Sequence, residues 1–130
     1  MGERVNFSTG TPWEPVVGYS RAVRVGSMVW VAGTTATGPD GLIVGRGDPA
    51  AQTRQVLENV KSALARAGAR LDHVVRTRIY VRNVADWETI GRVHGQYFGQ
   101  VRPAATLVEV SGLVDPDMLV EIEVDACIAD

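Results

Sequence analysis

The segment Val120-Glu121-Ile122-Glu123-Val124-Asp125-Ala126 alternates apolar and acidic side chains without a break. Strand side chains point to opposite faces with a period of two, so this segment has one apolar and one acidic face. It belongs in a sheet with one side against a core and the other against water or another chain. Arg76-Thr77-Arg78-Ile79-Tyr80-Val81-Arg82 has the same period and puts three arginines and a tyrosine on one side. If the two strands are neighbours, their charges pair across the sheet, worth roughly 0.2–1 kcal/mol per pair. Two readings of this charged face stay open: a solvated surface laced with ion pairs, or the lining of a subunit interface.

The apolar side needs cover, and two helical segments supply it. Asp48-Pro49 opens the first, with an aspartate to accept from orphan N–H groups and a proline at the first helical position. Val56, Val60, Ala63, Leu64 and Ala67 then recur at three- and four-residue spacing until Gly68 stops the helix. The second helix runs from about Asp86 to Phe98, with Trp87, Ile90, Val93, His94 and Tyr97 as its inner face and Gly99 as its stop. Further strands read at Ala22–Val25 and Met28–Ala32, joined by Gly26-Ser27, and at Val74–Val81, Ala105–Val110 and Leu119–Ile128. Residues 1–18 read as an irregular arm with one short strand at Val5–Phe7, because Pro12, Pro15 and Gly18 oppose other regular structure. The expected architecture is a single α+β domain over residues 1–130, with a sheet and two helices on one face.

Composition narrows the function. The 13 basic and 15 acidic residues leave a net charge of −2, without the clustered basic stripe that nucleic-acid binding needs. No apolar run approaches the ~20 residues of a membrane span, and Met1 to Pro15 lacks the apolar stretch of a signal peptide. The expected compartment is the cytoplasm, with no nucleic-acid or membrane partner. Cys127 is the single cysteine, so no intrachain disulfide forms; as a strand-end thiol it is expected to be inert.

Familiar motifs are missing. His73 and His94 have no partners at metal-ligand spacing, so neither a metal nor a cofactor is expected, and His94 reads as a core or interface histidine. Gly45-Arg46-Gly47-Asp48 lacks GxxxxGK(S/T) and GxGxxG and reads as a turn into the helix. No GxSxG elbow is present. Two features carry chemistry: Glu121, an acid on a strand, and Arg102-Pro103-Ala104-Ala105-Thr106, a polar-to-strand junction of the kind that rims pockets.

The chain resembles the RidA/YjgF family along about 110 residues. The matching landmarks are Gly18-Tyr19-Ser20-Arg21-Ala22, Val25-Gly26, Ala32-Gly33-Thr34, Gly47-Asp48, Ala51-Gln52-Thr53, Asn59, Ala67-Gly68, Pro103-Ala104 and Val120-Glu121-Ile122-Glu123. The resemblance implies a chorismate-mutase-like fold and a homotrimer whose sheets form a central barrel. A small-molecule cleft then lies between subunits. In the family's deaminases an arginine of a Pro-Ala-Arg motif holds the substrate carboxylate, and a glutamate on the final strand positions or activates water.

Carried over, the catalytic glutamate is Glu121, and the substrate-binding positions are Tyr19, Gly33, Gly91, Arg102, Ala105, Thr106 and Leu107. The arginine is missing, because Ala105 stands in its place. A bidentate arginine makes two charge-assisted bonds, so its loss removes on the order of two powers of ten in carboxylate affinity. Either Arg21 or Arg102 replaces it, or the substrate is not 2-iminopropanoate. The resemblance therefore implies an enamine/imine deaminase-type hydrolase with another substrate. The alternative is a non-catalytic metabolite-binding or regulatory homotrimer, and the acidic balance weighs against a third activity, endoribonuclease.

Overall fold

The computed structural model describes residues 2–129. Its strands are β1 (Arg4–Phe7), β2 (Ala22–Val25), β3 (Met28–Thr34), β4 (Val74–Val81), β5 (Ala104–Glu109) and β6 (Val120–Cys127). The helices are α1 (Trp13–Val17), α2 (Pro49–Arg66) and α3 (Trp87–Phe98). One mixed sheet has the order β1-β2-β3-β6-β4-β5, antiparallel throughout except for the parallel pair β4 and β5. Parallel neighbours need a crossover, and α3 lies on it.

The period-two reading of β6 is realised residue by residue. Val120, Ile122, Val124 and Ala126 are buried, while Glu121, Glu123, Asp125 and Cys127 alternate with them as half-buried positions. Both long helices pack on the buried face: Val56, Leu57, Val60 and Leu64 of α2 and Ile90, Val93 and Phe98 of α3 join one core with the strand residues. Asp48 caps α2 as expected, accepting from the Ala51 N–H at 3.1 Å. Gln52 is a wholly buried polar residue of α2. Its Nε2 donates to the carbonyls of Gly45 and Asp117, and its Oε1 accepts from Leu119 N–H at 2.9 Å. One side chain thus ties the helix start to the segment entering β6.

Two expectations change, at the arm and at Trp87, and a third, the cross-sheet pairing of charges, holds with partners set along the diagonal. The arm contains α1, although Pro15 lies inside it. Proline is tolerated there because first-turn N–H groups have no intrahelical partner, and Gly18, at φ 83°, ends the helix. Trp87 is 59 % exposed and lies outside the core, whereas Phe98 is 2 % exposed and inside it. Helical periodicity defines a face, but not how far along the helix the neighbouring layer reaches. On the charged face, β4 and β6 are neighbours, with Arg78 opposite Glu123 and Tyr80 opposite Glu121. The side chains bond along the diagonal, however: Arg78 pairs with Asp125 at 3.3 Å, and the Tyr80 hydroxyl donates to Glu123.

Candidate functional site

A cavity of about 250 Å³ opens where β3 and β6 meet the arm. Tyr19, Arg21, Gly33, Thr35 and Glu121 form its polar wall. Trp13, Val17, Val114 and Met118 form its apolar wall.

Glu121 lies on the acidic face of β6, and the local shape of β3 makes room for its carboxyl group. Val31 pairs with Val124 and Thr34 with Ile122, so Ala32 and Gly33 together face the single residue Glu123. This bulge bends β3 beside the carboxyl. A Cβ on Gly33 would lie 1.9 Å from Glu121 Oε2, closer than non-bonded heavy atoms approach, so the two cannot share the present geometry. The atom it meets is the tip of a flexible side chain, which can swing aside. Gly33→Ala is therefore expected to displace the carboxyl from the cavity wall at a stability cost of no more than about 1 kcal/mol, the scale of a shifted rotamer. Chemical denaturation checks this, because the penalty should vanish when Gly33→Ala is made together with Glu121→Ala.

Of the three acids on this face, Glu123 and Asp125 are engaged by Tyr80 and Arg78. The Glu121 carboxylate has no hydrogen-bond partner among the described residues. Burial pushes its pKa up, the Arg21 guanidinium opposes this, Glu123 adds to the rise, and the net shift is upward. Arg21 is held from two sides: its Nη2 donates to the Gly33 carbonyl, and its guanidinium carbon lies 5.8 Å from the centre of the Tyr19 ring.

The arm carrying Trp13 and Val17 is anchored by Glu14, which is 5 % exposed. Its carboxylate accepts from the hydroxyls of Ser8, Thr9 and Thr11 at 2.7, 3.0 and 2.9 Å. Burial alone would raise its pKa, but the bonds from Ser8, Thr11 and Thr9 outweigh it and bring the group down to about 2. The spacing Thr11-Pro12-Trp13-Glu14 has the Thr-x-x-Glu form of a capping box. That signal could have revealed α1 and, with it, Trp13 and Val17. Thr35, Val114 and Met118 carry no comparable mark, since they reach the cavity from loops.

Among the expected site residues, Tyr19, Gly33 and Glu121 come together, with Arg21 between them. Gly91, Arg102, Ala105, Thr106 and Leu107 do not join them within one chain. β5 is an edge strand separated from β6 by β4, with Ala105 opposite Thr77. Arg102 is exposed in the turn between α3 and β5, in the left-handed region at φ 56°. Gly91 lies half-buried on α3. His94, read as a core or interface histidine, is half-buried on α3, outside the core cluster, with its Nε2 2.9 Å from the Thr77 hydroxyl. Burial lowers its pKa. No group of three or more potential metal ligands occurs among the described residues.

Known proteins share this fold. A crystal structure of a YjgF-family member from Mycobacterium tuberculosis is 49% identical and superposes with a TM-score of 0.88, covering 97% of this chain and 100% of that one. A 3-aminoacrylate deaminase, RutC, from Acinetobacter baylyi is 39% identical over 122 residues, covering 94% of this chain and 95% of the relative. A RutC family protein from Pyrococcus abyssi is 37% identical over 123 residues, with 95% of each covered. The family model described as endoribonuclease L-PSP matches residues 9–128, nearly the whole chain. The chain belongs to the RidA/YjgF family.

Proposed function

We propose that the chain is an enamine/imine deaminase-type hydrolase whose substrate is not 2-iminopropanoate, working at a small-molecule pocket between the subunits of a homotrimer. The observation that carries this reading is Glu121, a half-buried carboxyl with no hydrogen-bond partner among the described residues, in the wall of a cavity. An acid left unbonded beside two engaged neighbours is available for proton transfer. The 39% identical relative that is named a 3-aminoacrylate deaminase supports the reaction class.

The chemistry balances with a carboxyl group and water alone. Glu121 as carboxylate takes a proton from water while the water oxygen bonds to the imine carbon. With the imine nitrogen protonated, the C=N electrons move onto nitrogen and give a neutral carbinolamine. Glu121 then returns its proton to nitrogen. As the C–N bond breaks, the carbinolamine hydroxyl gives its proton back to the Glu121 carboxylate, so that a carbonyl compound and ammonia leave, and the ammonia carries the last proton away as ammonium. The upward-shifted pKa suits this exchange, since it brings the protonated and ionised forms closer in energy near neutrality. Tyr19 lines the site and positions the substrate.

Ammonia release from 3-aminoacrylate and from a series of 2-imino acids tests the proposal, with wild type and Ala105→Arg compared. Wild type is expected to turn over at least one of them. Ala105→Arg is expected to raise kcat/KM on 2-iminopropanoate by about two powers of ten, the value of a restored bidentate grip. No turnover across the series, together with thermal stabilisation by the same compounds' products, would favour the non-catalytic metabolite-binding trimer instead.

A further inference from the structure

Arg21 is a cation at a cavity wall with hydrogen-bonding capacity left over for an anion. It is half-buried and lines two adjoining cavities, the one shared with Glu121 and a second of about 190 Å³ rich in threonine. Its Nε is buried and has no hydrogen-bond partner among the described residues. It forms no ion pair among them either, although Glu121 is near enough to feel its charge. Burying a charge without a counter-ion is unfavourable, so the site gains most from a ligand that supplies one.

The guanidinium is also preorganised. The bond to the Gly33 carbonyl and the contact with the Tyr19 ring fix its plane, so little side-chain freedom is lost when a carboxylate binds. The opposite wall is apolar, built from Trp13, Val17, Val114 and Met118. Together the walls specify an anionic head beside a hydrophobic body.

We infer that Arg21 is the carboxylate anchor of this site, selecting substrates that carry a carboxylate next to an aliphatic or aromatic side chain larger than methyl. This rests on the reading of the cavity as a substrate pocket. It assigns to Arg21 the contact that Ala105 cannot make, and it gives Trp13, Val17, Val114 and Met118 the role of recognising the side chain.

Isothermal titration of the intact protein with 4-methyl-2-oxopentanoate and its neutral amide tests the inference, because both probes bind without any reaction. Wild type is expected to prefer the carboxylate by roughly 30- to 100-fold, the value of a charge-assisted pair. Arg21→Gln should bring the two probes to within about threefold of each other, and Arg21→Lys should retain part of the preference. Equal binding of both probes by wild type, or an unchanged ratio in Arg21→Gln, overturns the assignment. If Arg21→Gln fails to fold, the Nε–H resonance of Arg21 in the wild-type protein decides. It should shift with the carboxylate and stay in place with the amide, and no shift with the carboxylate overturns the assignment. A retained binding preference without turnover of any imine leaves Arg21 as anchor and removes only the hydrolase reading.

Discussion

Glu121→Gln is expected to lower kcat at least ~100-fold while leaving the fold intact, within the range that a positioned acid–base group contributes. Glutamine has the size of glutamate, so it fits over Gly33 without new contacts, yet it can neither accept a proton from water nor return one. The pH profile sharpens the test. Burial holds the Glu121 carboxyl above the ordinary carboxylate range. The base form therefore accumulates only as pH rises through that raised value, and kcat/KM should climb through the same interval. An exposed carboxylate would have completed this climb at lower pH. The rising limb should be absent in the variant. A glutamine variant with the wild-type rate would remove Glu121 from the mechanism.

The largest expected effect on stability comes from Gln52→Ala, at about 3–5 kcal/mol. Gln52 satisfies the carbonyls of Gly45 and Asp117 and the N–H of Leu119, with no exposed surface of its own. Truncation strands three backbone groups, each costing about 1–3 kcal/mol if water cannot reach it. It also leaves a cavity beneath α2. Against a typical total of 5–15 kcal/mol, such a loss is a large fraction. Urea denaturation should show a lower midpoint at unchanged slope. A loss under about 1 kcal/mol would mean that water enters and takes over the three bonds.

Regular elements were legible wherever one side chain's position implied the next. The alternation in β6 and β4, the stripe of α2 and the Asp48 cap all follow from repeat geometry and matched the structure to within a residue or two. The lining of the cavity was legible in part. Glu121 stood out as an acid on a strand, Tyr19 and Gly33 came from the family resemblance, and the three meet in one cavity. The reason for Gly33 did not appear in the sequence, because it depends on a bulge that brings a carboxyl from a strand some ninety residues away within 1.9 Å of a missing Cβ. Val114 and Met118 reach the cavity from a loop, where no period fixes which side chain points inward. Trp87 shows the opposite failure, a residue with the right period at a helix end that the core does not reach.

β6 lies between β3 and β4, and neither of these pairs with the other. Until Val120 to Cys127 is in place, β1-β2-β3 and β4-β5 are two separate ribbons with no shared ladder. Joining them brings together residues far apart in the chain, such as Met28 with Cys127, and such non-local pairing is expected to slow folding. Assembly of the cavity and closure of the sheet are thus consequences of the same docking event. A chain halted before Val120 would lack the acid, the wall beside Gly33 and the seam of the sheet at once, and would expose two unpaired inner edges prone to intermolecular pairing.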